Sequence, residues 1–324
     1  MRLEYQILAA VALDLVLGDP RWFPHPVKGI YRLALGLERL TRRAIPWPRL
    51  AGLATALAVY AAAGFAAWGL IYLAGLAHPW AADAVSVVLV YTTIAARDMA
   101  RHSMAVFRPL AAGDLPEARR RAAMIVGRDT QDLDEAGVAR AAVESVAEST
   151  VDGVTAPLFF AVIAGPVGAM VYRAINTLDS VFGHKNERYL KFGWASARMD
   201  DLANFLPARL TAPLVGAAAL LLGQRPLQAM RVLVRDGSKH QSPNAGLAEA
   251  AMAGALGVQL GGRNYYDGQP LDGPILGDPL VPLAARHIPQ ANAVMFATMG
   301  FFLALALLAR VFVLHLWSLW RAAP

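Results

Sequence analysis

"VESVAESTVDGVTAPLFFAVIAGPVGAMVY", residues 143–172, joins two kinds of sequence. Its first part carries three carboxylates at a spacing of four, Glu144, Glu148 and Asp152. From Val154 to Tyr172 no charged residue follows. On a regular α-helix each step of four drifts by about 40°, so the three acids share one face. Like charges at that spacing repel by a few tenths of a kcal/mol per pair. The sole basic residue three or four positions from any of them is Arg140. Water, or a cation from far along the chain, must complete the set. Carboxylates at the edge of an apolar segment carry a desolvation cost that a solvated helix face does not, which points to a site.

Composition sets the class. The chain has 324 residues, of which 56% are hydrophobic and 17% charged. Soluble domains carry about a quarter charged residues, so an all-α polytopic membrane protein is expected, with about four or five transmembrane helices. Residues 51–77 have no charge and are long enough to cross a bilayer. Residues 291–317 contain one Arg, Arg310, and run into a Trp-rich margin at Trp317 and Trp320. Residues 81–96 carry only Asp83. Segments 5–17 and 205–222 are shorter candidates. Glu4 and Asp14 border or interrupt the first apolar run and no small-residue cleavage site follows it, so a cleaved signal peptide is not expected.

The formal charge is +6, with Lys supplying four of 30 basic residues. Arginines 39, 42, 43 and 49 precede one span and Arg97, Arg101 and Arg108 follow the next, while the "HPW" link between them has none. The positive-inside rule places both flanks in the cytoplasm and the link outside. No basic stripe alternates with aromatics, so nucleic acid is not an expected partner. The absence of cysteine excludes disulfides, thiolate metal sites and cysteine nucleophiles.

One integral-membrane domain, 1–324, is the expected organisation. Residues 97–150 form its helical, soluble-looking insert, with breaks near Gly113 and Gly127 and with Asp114 capping a helix that has Pro116 in its first turn. If this insert and the basic stretch 173–204 are both cytoplasmic, 154–172 is not a simple span. The "AGP" break at 164–166 then fits a re-entrant segment, whose irregular backbone must be buried in protein or line a cavity. Residues 224–290 are Gly/Pro-rich with few long apolar runs.

Further polar clusters accompany the acids. In "YRAINTLDSVFGHKNERYLKFGWASARMDDLANFLPARL", 172–210, Asn176 and Asp179 lie three apart. Asp200, Asp201 and Asn204 follow before Pro207, which is expected to stop the helix, and the basic loop between holds Lys185 and Arg188. Oxygen ligands around basic groups suit a metal-bound phosphate, and Mg²⁺ in particular. In "RDGSKHQSPNAGLAEAAMAGALG", 235–257, Ser242 reads as an N-cap with Pro243 at the first helical position, beside Lys239. That is a natural anion site, although no P-loop pattern is present. Small residues at 250, 251, 253, 254 and 257 suit close helix packing. "GDPRWFPHPVKGI", 18–30, reads as a rigid turn at a membrane margin.

Together these stretches resemble adenosylcobinamide-phosphate synthase, the CobD/CbiB family. The resemblance rests on "GDPRWFPHPVKGI", "ESVAESTVDGVTAPLFF", "YRAINTLDS", "GHKNERY", "DDLANFLPARL" and "GSKHQSPNAGLAEAAMAGALGVQLGG", in order over nearly the whole chain. It departs at Leu247, near which the family pattern has an aromatic residue. The resemblance implies a multi-pass enzyme of the inner (cytoplasmic) membrane that joins adenosylcobyric acid to an aminopropanol or its O-phosphate by an amide bond. It also implies ATP and Mg²⁺ as cofactors, a corrinoid substrate, and other corrinoid-pathway membrane enzymes as neighbours. On this reading Glu144, Glu148 and Asp152 are catalytic and hold Mg²⁺ or the substrate ammonium. Asp179, Asp200 and Asp201 are the metal ligands. Asn176, Lys185, Arg188, Lys239, Ser242 and Asn244 bind substrate or phosphate. The alternative is a non-enzymatic membrane sensor of the AmpE type, a distant relative. A transporter is the third reading, against which no paired halves of similar hydropathy are found.

Overall fold

Prolines and short polar caps punctuate the chain, and helices begin where they stand. The computed structural model describes residues 1–20, 22–184 and 186–322. In chain order the elements are α1 (Leu3–Leu17), α2 (Pro26–Ala44), α3 (Pro48–Ala77), α4 (Pro79–Tyr91), α5 (Ala96–Ala111), α6 (Leu115–Ala122) and α7 (Glu135–Ser149). A π-helical turn (Thr150–Thr155) precedes α8 (Ala156–Phe182), α9 (Trp194–Leu221), α10 (Pro226–Asp236) and α11 (Ala245–Leu256). The antiparallel strands β1 (Leu260–Tyr266) and β2 (Gln269–Leu276) and a last helix, α12 (His287–Ala322), complete it.

Proline occupies the first turn of α2, α3, α4, α6 and α10, where its missing N–H is harmless. His25, His78, Asp114 and Asp134 accept the orphan amides of Val27, Trp80, Glu117 and Gly137. Among the described residues five helical stretches are long and apolar enough to cross a membrane: Pro48–Ala77, Pro79–Ala111, Glu135–Phe182, Trp194–Leu221 and His287–Arg321. The chain is a helical, multi-pass membrane protein.

Three local expectations need correction. Pro207 does not stop its helix; α9 continues through Pro207 and Pro213. Prolines persist in membrane-spanning helices, where ending the helix in apolar surroundings would leave more backbone groups unpaired than the one carbonyl each proline frees. Ser242 does not begin α11, which starts at Ala245 with Asn244 before it. The Ser242 hydroxyl instead accepts the amides of Asn244 and Ala245, each at 3.3 Å, as a turn upstream of the helix. The β-hairpin went unforeseen, although Asp267–Gly268, both at positive φ, is a hairpin turn signal in the sequence.

The chain forms two compact units. The first comprises residues 1–95, 156–204 and 304–324. Its core brings Ile30 and Ala34 of α2, Ala56, Val59 and Tyr60 of α3, and Met170, Ala174 and Leu178 of α8 together with Phe182 and Phe192. Small residues on α3 allow this approach. A Cβ on Gly52 would collide with the backbone carbonyl of Phe192. Phe65, Leu73, Leu308 and Phe312 are exposed on α3 and α12, as lipid-facing side chains must be.

Gly165 takes φ +65°, ψ −162° inside α8, at the expected break. Pro166 has no N–H to give the Val162 carbonyl, and Arg310 fills that place. Its Nη1 donates to Val162 O at 2.9 Å while its Nε donates to Glu4 Oε1 at 2.9 Å. Arg310, the one arginine within the apolar stretch 291–317, thus has both its charge and its geometry accounted for. Arg310→Met is expected to cost about 3–5 kcal/mol by stranding Glu4. Thermal melting in detergent checks this, and adding Glu4→Gln is expected to restore most of the loss.

The second unit comprises residues 96–155 and 205–303. Here α7 packs against α5, α6 and α11, and α10 against α11. A Cβ on Gly254 would meet the backbone of Gln228 and Ala229, so the small-residue stripe of α11 is what lets α10 approach. Gly257 closes α11 in the left-handed region at φ +68°.

Candidate active site

A cavity of about 290 Å³ lies inside the second unit. Gly127 and Arg128 from the loop before α7 form part of its wall, with Glu144, Ser145 and Glu148 of α7. His240 precedes α11 on another side, Glu249 comes from α11, and Asn264 and Tyr266 come from β1. At 12 residues α11 is too short to cross a bilayer.

Glu144 is held on both carboxylate oxygens. Its Oε1 accepts the Gly261 amide at 2.7 Å, and its Oε2 lies 2.6 Å from Arg128 Nη2. Arg140, its helical neighbour, stands 3.9 Å away and has other work. It donates to the Gly261 carbonyl, to Arg263 O at 3.0 Å and to Asn264 Oδ1 at 2.9 Å. Asp129 accepts the Gly268 amide at 2.8 Å, and its own amide donates to Tyr265 O at 2.8 Å. The hairpin is therefore stitched to α7 and to the preceding loop.

The Arg128 side chain is 8% exposed. Its Nε has no acceptor among the described residues, and its Nη2, though close to Glu144, is misaligned for a hydrogen bond. Glu249 is 7% exposed, and among the described residues no donor bonds to it. Burial pushes its carboxyl well above the usual carboxylate range, the charges of Glu144 and Glu148 push the same way, and Arg128 opposes them. The cavity thus holds three acids and one under-used arginine.

Asp152 takes no part in this wall. It sits half-buried in the π turn that follows α7.

One anion-site candidate of this unit, Lys239, is paired with a buried carboxylate, Asp236. Asp236 accepts Arg235 Nε at 2.8 Å and Nη2 at 2.7 Å, Lys239 Nζ at 2.6 Å and the Gly277 amide at 2.9 Å. These contacts hold Asp236 far below the usual carboxylate range, the paired Arg235 foremost. Arg235 also reaches Asp278 at 2.9 Å. Lys239 is tethered but half-exposed. Asn244 Oδ1 accepts Arg209 Nη1 at 3.2 Å.

The remaining candidates lie in the first unit. Asp200 accepts Asn204 Nδ2 at 3.0 Å and Asn176 Nδ2 at 3.5 Å, and Tyr172 donates to Asn204 at 2.8 Å. Asp179 is near enough to Asp200 and Asp201 for their charges to interact. Asp201 also faces Arg198 at 3.3 Å. Among the described residues no three His, Asp or Glu side chains are grouped to hold a metal ion by themselves. Arg188 donates to the buried Glu38 at 3.1 Å, which Arg42 also bonds at 2.9 Å. Lys185 lies outside the described residues.

Sequence reasoning missed Arg128 and Glu249. Arg128 stands 16 positions before Glu144, and Glu249 sits in an alanine-rich helix where periodicity reads it as surface.

The family model described as CobD/Cbib protein matches residues 7–295. A cobalamin biosynthesis protein CobD of Geobacter metallireducens is 53% identical over 86% of this chain and 88% of its own. One from Leptospira interrogans is 46% identical over 90% and 92%. A cobalamin biosynthesis protein CbiB of Salmonella typhimurium is 44% identical over 93% and 95%. No solved structure matches. The chain belongs to the CobD/CbiB family.

Proposed function

We propose that this protein acts in cobalamin biosynthesis as a carbon–nitrogen ligase of the inner membrane, joining the free carboxylate of adenosylcobyric acid to aminopropanol or its O-phosphate. The observation that carries the reading is the cavity in which Glu144, Glu148 and Glu249 meet Arg128. A small molecule with an ammonium at one end and an anion at the other matches that charge pattern. Glu144 and Glu148 receive the ammonium, Glu144 being held in place by the Gly261 amide of the hairpin and by Arg128. Arg128 Nε, which lacks an acceptor, and the half-exposed Lys239 meet the phosphate.

Mg²⁺ fits the first unit's donors. It is held by one or two carboxylates plus water and phosphate, so a closed three-ligand cluster is not required. Asp179 and Asp200 would hold it, with Asp201 and Asn176 beside them, and Arg188 near the phosphates. ATP with Mg²⁺, when bound, supplies the phosphoryl group that activates the carboxylate. The residues of this chain then orient the amine, exclude water from the cavity and move its proton.

Detergent-purified protein supplied with adenosylcobyric acid, aminopropanol phosphate, ATP and Mg²⁺ is expected to yield the amide, read by mass. Product is expected to disappear on chelation. Glu148→Ala is expected to lower kcat/KM for the amine about 10- to 100-fold, the worth of one charge-assisted hydrogen bond. Folded protein that forms no product with either amino-alcohol form would favour the sensor reading.

A further inference from the structure

Resting on that ligase reading, we propose that Glu249 is the proton acceptor that converts the bound ammonium into the attacking amine. A protonated amine has no lone pair, so a ligase must remove a proton before the carbon–nitrogen bond can form. The cavity offers three carboxylates, and they are not equivalent.

Glu144 is occupied on both oxygens, by the Gly261 amide and by Arg128. Glu148 stands one turn along α7 in the same wall. Glu249 faces them from α11, more than nine-tenths buried, with no donor bonded to it among the described residues. The charges acting on it are Glu144 and Glu148 from α7 and Arg128 from the loop before, and the other titratable groups lining the cavity are His240 from the loop preceding α11 and Tyr266 from β1. Burial and two neighbouring acids strengthen it as a base, which supports the assignment made on geometry.

The step balances as follows. The ionised Glu249 carboxylate takes one proton from the substrate ammonium, leaving neutral amine and neutral Glu249. The nitrogen lone pair attacks the activated carboxyl carbon, the carbon–nitrogen bond forms and the carbon–oxygen bond to phosphate breaks. The second nitrogen proton leaves with the departing phosphate. Two fixed acids, Glu144 and Glu148, keep the amine in place throughout. Because only ionised Glu249 accepts a proton, kcat/KM rises as pH climbs through its elevated pKa.

The test compares wild type with Glu249→Gln, which keeps the side chain's size, using aminopropanol phosphate and, separately, hydroxylamine. Hydroxylamine is uncharged near neutrality and needs no proton acceptor. The variant is expected to lose amide formation by at least about 100-fold and to lose the acid limb of the pH profile. It is expected to keep hydroxamate formation, and its affinity for aminopropanol phosphate is expected to change less than tenfold. Wild-type amide rates in Glu249→Gln would overturn the proposal. Loss of hydroxamate as well as amide, in variant protein with an unchanged melting temperature, would also overturn it and place Glu249 in carboxylate activation. Wild-type protein that forms neither product would instead sink the ligase reading on which the proposal rests.

Discussion

Arg128→Ala is expected to lower kcat/KM for aminopropanol phosphate by about 100-fold or more and to destabilise the second unit by about 3–5 kcal/mol. Both effects come from one side chain. Its Nη2 lies 2.6 Å from Glu144, so its loss leaves Glu144 facing Glu148 and Glu249 with the nearest remaining cation at 3.9 Å. Its Nε, lacking an acceptor, is the donor offered to the substrate's anionic end. The two roles separate by substrate. Unphosphorylated aminopropanol is expected to suffer less from the substitution than the phosphate does, while melting reports the ion pair alone. Equal losses with both substrates would confine Arg128 to holding Glu144. Arg128→Lys is expected to recover stability more than affinity, because an ammonium restores the charge without the planar fork.

Asp236→Asn is expected to destabilise the second unit by about 3–5 kcal/mol. The side chain is 1% exposed and gathers Arg235, Lys239 and the Gly277 amide. An amide presents one oxygen where two are needed and sets an NH₂ against the remaining donors. The pH dependence follows from the sign of the shift. The folded carboxyl is depressed, so its contribution is complete above the ordinary aspartate range near pH 4 and fades as pH falls below it. Acid melts of wild type are expected to lose stability in that window, and the Asn variant is expected to lose less there. Parallel acid profiles for the two proteins would remove Asp236 from that role.

Local chemistry was legible in the chain wherever a residue's neighbours in sequence decide its state. The capping Asp114, the Pro-led helix starts and the break at 164–166 are of this kind. Legibility failed where a distant contact overrides the local rule. Pro207 reads as a stop, yet α9 runs on, because a membrane-spanning helix loses more by ending in apolar surroundings than by omitting one backbone bond. Lys239 and Arg188 read as free phosphate ligands, yet each is tied to a carboxylate, Asp236 or Glu38. Their partial exposure leaves that role open, with a competing anion already present.

By itself the sequence determined the class of molecule, its family, the apolar helices and the existence of an acidic face at Glu144 and Glu148. These follow from composition, periodicity and motifs in order, all of which are local or additive. Only the tertiary structure decided what that face confronts. It brought Arg128, Glu249 and the hairpin around the acids, and gave Arg310 the carbonyl that Pro166 leaves unpaired. The physical reason is the same in each case. A buried charge or backbone group must find a partner in space, and nothing in linear spacing records which residue of the folded chain supplies it.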